Sequence, residues 1–206
     1  MSFTVEAIAD ICIREDLPTS PGGSGSYLYV FKDNTGSDIL TILKWDLTAY
    51  TTATDYVRDA TLEITFYDSD ETVWPISLKY TRCTRDWTEA TATWNTYDGT
   101  NPWTTPGGDY DDTFAIERTI TTNHNIIDIT ALVRDAVLNR SQILNLGINF
   151  NRPPSNEFNV KIFSRDNVSL VAPKLTVALG MEDWQEKIRL SSICTPTIAL
   201  KSSIQE

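Results

Sequence analysis

The sequence predicts an all-β protein, a jelly-roll-like antiparallel β-sandwich with one short helix and a C-terminal arm of β-strands. Apolar residues alternate with period two, and these stretches are rich in Val, Ile, Thr, Tyr, Phe and Trp. Clusters of Gly, Pro, Asn and Asp interrupt them at short intervals. Two sheets packed face to face hide the apolar sides of many short strands, so we expect residues 1–180 to form the sandwich and 181–206 the arm.

The alternation predicts strands along the whole of the sandwich domain. They are Thr4–Ala9, Cys12–Arg14, Tyr27–Lys32, Leu40–Asp46, Ala60–Tyr67, Ile76–Thr81, Thr113–Thr121, Leu146–Phe150, Lys161–Ser164 and Lys174–Ala178. Turn-forming clusters separate several of them, at Pro18–Ser26, Asp33–Asp38, Tyr97–Asp112 and Asn151–Asn156. A single short helix is predicted over Asp128–Leu138, where small and apolar residues recur at helical spacing behind Thr130, a suitable N-cap. We expect it to cover an open end or edge of the sandwich.

The last residues repeat themselves. Ile188–Ile193 is echoed ten residues later by Ile198–Ile204, and two such alternating strands cannot bury their apolar sides as an isolated hairpin. We therefore expect this arm to dock onto its own domain or onto a neighbouring chain. The predicted docking residues are Ile188, Leu190, Ile193, Ile198, Leu200 and Ile204.

Composition and charge narrow the classes of function. Twenty-eight acidic residues against 17 basic ones give a net charge of −11, which repels phosphate backbones and argues against nucleic acid as a partner. No apolar run reaches the length of a membrane-spanning helix, so no membrane partner is expected. The first residues do not resemble a secretory signal, which leads us to expect a protein kept in a cytosol or released by lysis.

Residues suited to catalysis or to metal binding are sparse in the sequence. His124 is the sole histidine and falls in a predicted polar loop, and the three cysteines show no paired spacing. Acidic clusters at Asp68–Glu71 and Asp109–Asp112 are typical of solvated turns, although their oxygen atoms are also the ligands that calcium prefers. We expect no catalytic residues and no resident cofactor, with calcium at these clusters as the less favoured alternative.

Aromatic residues in predicted loops are the candidate contacts for a ligand. Trp74, Trp103 and Tyr110 lie in or beside loops, where binding function tends to concentrate, and we predict that they contact a glycan or a partner chain. Packing over the end of the sandwich is the alternative for Trp103 and Tyr110. For Trp87 and Trp94 we favour a place in the core over a sugar-stacking platform.

Six short motifs follow one another along the chain. They are D-I-C-I-R-E at 10–15, I-L-K-W-D-L at 42–47, A-T-L-E-I at 60–64, W-T-E-A-T-A-T-W-N at 87–95, I-D-I-T-A-L-V-R-D at 127–135, and S-R-D with A-P-K-L at 164–166 and 172–175. In this order they resemble the DNRLRE family of carbohydrate-binding-module-like domains, over residues 5–179. The resemblance implies a jelly-roll sandwich without catalysis, usually attached to secreted polysaccharide-active or surface proteins.

Two functional hypotheses follow, with a glycan-cleaving enzyme as a weak third. The first is a non-catalytic phage virion protein, most simply a capsid decoration (cement) protein and otherwise a neck or fibre protein, assembled in the host cytoplasm. Its partners would be the major capsid protein and copies of itself, reached partly through the arm. The alternative is a carbohydrate-binding module that recognises a surface polysaccharide.

Overall fold

The structure is a computed structural model that describes residues 1–23, 25–32, 35–67, 75–150, 158–167 and 172–180. Over these ranges the chain forms antiparallel strands and one short helix, which confirms the predicted all-β class. The strands are β1 Ser2–Glu6, β2 Ala9–Arg14, β3 Tyr27–Lys32, β4 Ile39–Asp46, β5 Tyr56–Tyr67, β6 Ile76–Cys83, β7 Tyr110–Ile120, β8 His124–Asp128, β9 Ile143–Phe150, β10 Phe158–Phe163 and β11 Lys174–Gly180, and helix α1 is Thr130–Asn139. The predicted arm, 181–206, lies outside the described residues.

The strands form two layers of a sandwich. One layer runs in the order β2, β4, β9, β6, β7, and the other contains β1, β11, β5 and β8. Strands β3 and β10 pair with each other, and β10 also pairs with the end of β5, so the hydrogen-bonded ladder is continuous. Every pairing is antiparallel, as the alternating pattern predicts.

The core lies between the inner faces of the two layers. In β5 the alternation buries Ala60, Leu62, Ile64 and Phe66, while the residues between them face outward. Strand β4 is different, because its residues from Ile39 to Leu43 are buried on both of its faces. A strand buried on both sides needs a second cover on its outer face, and that cover is a long loop described below.

Helix α1 packs against β5 and β9 and begins later than predicted. Thr130 is its first residue and not its N-cap, because Ile129 holds that position without a capping side chain. The hydroxyl oxygen of Thr130 accepts a hydrogen bond from the Ala60 amide, and the Asp128 carboxylate accepts one from the Thr130 amide. Thr130 therefore ties the helix to β5, a tertiary role that the local sequence does not reveal.

Most predicted strands are present, with shifted ends. The predicted segment Thr4–Ala9 is broken, since β1 stops at Glu6 and β2 starts at Ala9. Strand β8, which pairs with β5, was predicted as part of a polar loop. Its side chains are mostly exposed, with Ile127 buried, so its sequence carries too little alternation to predict a strand. The described helix, at 10 residues, is too short to cross a membrane.

Candidate functional site

The loop between β6 and β7, residues 84–109, covers the outer face of the layer that contains β4 and β9. Four of its apolar side chains are buried there, namely Trp87, Ala92, Trp94 and Trp103. The Lys44 ammonium on β4 donates to the Trp87 carbonyl at 2.6 Å and lies over the Trp87 ring. The core interpretation of Trp87 and Trp94 is therefore confirmed, because both rings pack against the sheet.

Trp103 is a packing residue in this loop. Its ring is 3% exposed, its indole N–H donates to the Thr93 carbonyl at 2.8 Å, and it meets the Tyr97 ring edge to face at 5.7 Å. A ring enclosed in this way has no free face to offer a sugar. Of the two interpretations drawn from the sequence, packing over the sandwich is the one that describes Trp103.

Tyr110, at the start of β7, lies across the outer face of β9. Its hydroxyl donates to the Gly107 carbonyl at 3.0 Å, and its ring lies over Gly147. A Cβ atom at position 147 would come within 2.9 Å of the Tyr110 Cδ1 atom. Two open clefts lie on either side of this contact, one next to Asn145 and one next to Asn149. Gly147 is thus required for the close approach of Tyr110.

We expect Gly147→Ala to lower the free energy of unfolding by about 1–3 kcal/mol, because the added methyl group forces the Tyr110 ring out of place. Urea denaturation of Gly147→Ala, of Tyr110→Ala and of the double variant measures this loss of stability. In a Tyr110→Ala background the cost of the same methyl group should shrink, since the ring it strikes is gone. Equal losses in both backgrounds would show that the crowding is not with Tyr110.

The cleft beside Asn149 has a volume of about 360 Å³, and we call it the Trp94 cleft. Its walls and floor include Leu40, Lys79, Trp94, Tyr110, Asn149 and Phe150. Trp94 and Phe150 are both largely buried, so only a small part of each ring borders the cleft. The Asn149 side-chain oxygen is enclosed and accepts no hydrogen bond from any residue that the structure describes. The cleft combines apolar walls with a polar floor, which is the composition of a small-ligand site.

A second candidate surface is the outer side of β3, β10 and the end of β5. We call it the aromatic face, and it consists of Tyr27, Tyr29, Phe31, Tyr67, Asn159, Lys161 and Phe163. Opposed residues of antiparallel strands share a face, and the register opposes Tyr27 to Phe163, Tyr29 to Lys161 and Phe31 to Asn159. The alternate residues Leu28, Val30, Val160 and Ile162 are buried in the core, so the aromatic set points outward.

Three rings of the aromatic face form a cluster. The ring centroids of Tyr27 and Tyr67 are 5.3 Å apart, those of Tyr27 and Phe163 5.4 Å, and those of Tyr67 and Phe163 6.0 Å. Tyr67 is 39% exposed, whereas Trp94 and Trp103 are buried. These rings hold one another in place; Tyr67 is exposed, and Tyr27 and Phe163 are partly buried beside it, so part of the cluster is accessible for stacking.

Polar groups lie among these rings. The Lys161 ammonium is 5.9 Å from the centre of the Tyr29 ring and 5.8 Å from that of Tyr67. It has no carboxylate within ion-pair distance in the part of the chain that the structure describes. The enclosed side-chain oxygen of Asn159 likewise accepts no hydrogen bond there. The aromatic face therefore presents a cation and an amide whose hydrogen-bonding capacity is unused by its described neighbours.

Three of the motifs meet in a buried polar network at another place on the sandwich. The Asp10 carboxylate accepts hydrogen bonds from the Ser164 hydroxyl at 3.1 Å and from the Arg165 amide at 2.7 Å. The Glu89 carboxylate accepts from the Asp10 amide at 2.8 Å and from the Arg165 guanidinium at 3.0 Å. Burial raises the pKa of Asp10 to about 6, against the lowering effect of these hydrogen bonds.

This network is structural. It ties β2 to the 84–109 loop and to the turn that follows β10, segments that are distant in sequence. Carboxylate oxygens of Asp10, Glu89 and Asp166 lie within 4.8 Å of one another, a spacing that could suit a metal ion. The Arg165 guanidinium bonds to Glu89 and to the Ile8 carbonyl, and so already supplies positive charge to this cluster. The carboxylates of Asp10, Glu89 and Asp166 therefore do not need a metal ion to balance their charge.

The acidic cluster Asp109–Asp112 is committed to protein donors. Asp109 accepts from the amides of Thr104 and Thr105 at 3.1 Å and from Arg85 at 2.7 Å. Asp111 bonds to Arg82 and Thr113, and Asp112 to Lys79. These carboxylates fix the ends of the loop and of β7, which accounts for the cluster without calcium. The other cluster, 68–71, lies outside the described residues, as does Trp74.

His124 is not in a loop, which corrects the sequence-based expectation. It is the first residue of β8, where its Nε2 atom lies 2.9 Å from a Glu63 carboxylate oxygen on β5. Both side chains are about half exposed. An exposed cross-strand pair of this kind adds little stability and offers no metal site.

The aromatic side chains that can stack on a ligand therefore lie in strands and not in the predicted loops. Tyr110 lines the Trp94 cleft, and Trp103 is buried beneath the loop. The aromatic face was missed because candidate contacts were sought only among aromatic residues in loops, whereas its aromatic residues lie in predicted strands. The signal was present in Tyr27-Leu-Tyr-Val-Phe31, where three aromatic residues alternate with two aliphatic ones. When both sides of a strand are apolar, the aliphatic side usually faces the core and the aromatic side awaits another partner.

Comparison with known proteins agrees with this geometry. Residues 1–178 match carbohydrate-binding module family 96, a stretch that spans the described sandwich almost completely. No individually curated protein matches the chain. The predicted kinship with carbohydrate-binding-module-like domains is confirmed. The chain belongs to carbohydrate-binding module family 96.

Proposed function

We propose that the protein is a non-catalytic carbohydrate-binding module that holds a polysaccharide chain against the aromatic face. The observation that carries the proposal is the ring cluster of the exposed Tyr67 with the partly buried Tyr27 and Phe163. It lies beside an ammonium group and an amide oxygen that lack polar partners among the described residues. Family membership supports the same class of ligand.

The chemistry of a sugar ring fits this surface. The C–H face of a pyranose is apolar and packs on an aromatic ring, while its hydroxyl groups lie at the rim. Hydroxyls at the rim can accept a hydrogen bond from the Lys161 ammonium, and a small turn of the Asn159 side chain would let its enclosed oxygen accept one in return. The outer face of a sheet, unlike a closed pocket, can hold an internal stretch of a long polymer.

The proposal includes no catalytic step. Glycoside hydrolysis needs two carboxyl groups on either side of the scissile bond, free to act as acid and as base or nucleophile. The close carboxylates Asp10 and Glu89 are instead held by Ser164, Arg165 and backbone amides. Their hydrogen bonds support a structural role for both.

We expect Tyr67→Ala to weaken polysaccharide binding about ten-fold, because the exposed ring loses its stacking contact with the ligand. A glycan array that spans neutral and acidic polysaccharides identifies the ligand, and calorimetry then measures the affinity of each variant. The matched control is Tyr50→Ala, which removes an equally exposed ring at 43%, located off the aromatic face and stacked on Phe3. Binding that survives Tyr67→Ala and Phe163→Ala would move the site elsewhere, and a blank array would overturn the function itself.

The virion hypothesis stays a prediction. It depends on the arm at 181–206, with its apolar residues from Ile188 to Ile204, which lies outside the described residues. Particle attachment before and after deletion of 188–206 is the measurement that tests it. The proposals that the protein contacts a capsid protein and resides in a virion depend on that result as well.

A further inference from the structure

We propose that the Trp94 cleft is a second binding site, which takes a single sugar unit such as the exposed end of a glycan. The inference rests on the proposed function for its choice of ligand class, but it concerns different residues. The cleft lies over β6 and β9, whereas the aromatic face lies over β3, β10 and β5. A cleft of about 360 Å³ falls at the small end of the size range of small-molecule sites.

The first support is the unused polar group on the floor. The Asn149 amide oxygen is enclosed and has no hydrogen-bond partner among the described residues, although buried polar atoms are nearly always paired. The side chain as a whole is only partly buried and lines the cleft, so a small turn about its last bond would bring the oxygen to a ligand hydroxyl as an acceptor, with the NH₂ group as a donor beside it. Lys79 is opposite Asn149 in the strand register and lines the cleft, and its ammonium, which also bonds to Asp112, has further N–H donors for a ligand.

The second support is the rigidity of the walls. Tyr110 is fixed by its hydrogen bond to the Gly107 carbonyl, and the backbone amide of Gly107 donates to the Trp94 carbonyl at 2.8 Å. Gly107 has a φ of +93°, and a Cβ atom there would meet the Trp94 ring at 2.8 Å. The cleft is therefore formed before any ligand arrives, which lowers the entropic cost of binding.

The neighbouring cleft provides a contrast. Asn145 comes two residues before Gly147 on the same side of β9, and its amide oxygen also has no partner in the part of the chain that the structure describes. Its cleft of about 420 Å³ is lined by residues such as Cys83, Arg140 and Ile143, and none of the described residues that line it is aromatic. A sugar in that cleft would have hydrogen bonds but no aromatic side chain beside it. Comparing Asn149 with Asn145 therefore tests whether an unpaired amide is sufficient for binding or whether aromatic walls are needed as well.

The test is an NMR titration of the full chain with individual monosaccharides, glucose, galactose, mannose and glucuronate among them. We expect at least one to produce saturable shifts of the Trp94 indole and of the Gly107 and Gly108 amides, at millimolar concentrations. Asn149→Leu should weaken this binding about ten-fold or more, because a similar volume is kept while the hydrogen bonds are lost. Asn145→Leu is the matched control and should leave it unchanged.

The outcomes separate this inference from the proposed function. No saturable shift at these resonances with any monosaccharide, or equal effects of the two asparagine variants, would overturn the second site. Polysaccharide binding that is lost in Tyr67→Ala while monosaccharide shifts at Trp94 persist would support both sites as independent. Monosaccharide binding at Trp94 with polysaccharide affinity unaffected by Tyr67→Ala would overturn the aromatic face alone.

Discussion

Replacing Trp103 with alanine is expected to lower the free energy of unfolding by about 3–5 kcal/mol. The ring is 3% exposed beneath the loop that covers β4 and β9, so its removal leaves a large cavity. It also leaves the Thr93 carbonyl without the indole donor that now lies 2.8 Å away. Chemical denaturation followed by circular dichroism gives the value.

The comparison variant for Trp103 is Tyr67→Ala. Its ring is 39% exposed, so we expect a cost in the free energy of unfolding below about 1 kcal/mol, together with the binding loss described above. The Trp103 variant should therefore lose mainly stability, and the Tyr67 variant should lose mainly affinity for the glycan. A Trp103 variant of near-normal stability with impaired glycan binding would restore the loop as the recognition element.

The second large effect is a fall in stability as pH rises from about 4 to 7. The pKa of Asp10 is about 6 in the folded protein against 3.8 for an unburied carboxyl, so the folded state binds more protons than the unfolded state over this interval. Stability is therefore gained as pH falls through 6 and lost as pH rises. The gap of about two pKa units corresponds to roughly 3 kcal/mol in the free energy of unfolding.

Urea denaturation at pH 4.5 and pH 7.5 measures this difference, and Asp10→Asn is the diagnostic variant. Asparagine keeps the shape and can still accept from the Arg165 amide, yet it does not ionise, so its stability should vary much less between the two pH values. Below pH 4 the trend should reverse. Hydrogen bonds to Asp46, Asp111 and Asp128 lower the pKa of these carboxyls, and their contribution to stability is lost once they are protonated. A variant with the same pH dependence as the parent would show that another group is responsible.

The sequence predicts the sandwich well because its signals are local. The strand Tyr27–Lys32 is found with the predicted bounds, and β4 differs by one residue, because alternation and flanking turns specify both. Strand β8 was missed because its pairing with β5 is a tertiary property of a mostly polar segment. The ends of β5 and β9 extend beyond the predicted ones for the same reason, since neighbouring strands continue the ladder past the apolar residues.

The candidate sites were less predictable, because exposure depends on what covers a side chain. Nothing in the local sequence distinguishes the buried Trp103 from an exposed loop tryptophan, since its burial depends on Thr93 and Tyr97. The network of Asp10, Glu89 and Arg165 joins residues up to 155 positions apart. The motif resemblance identified these residues as a set, and the structure supplies the reason that they occur together.

The cover over β4 has a consequence for anyone who wishes to change what this protein recognises. Residues 84–109 carry three tryptophans that complete the hydrophobic interior, so randomising that segment would yield libraries dominated by unfolded clones. The outward positions of β3 and β10 contribute less to the interior: Tyr29 and Phe31 pack partly against the core, whereas Tyr27 and Phe163 do not. New specificities should therefore be selected by varying positions 27, 159, 161 and 163 while the rest of the sequence is kept.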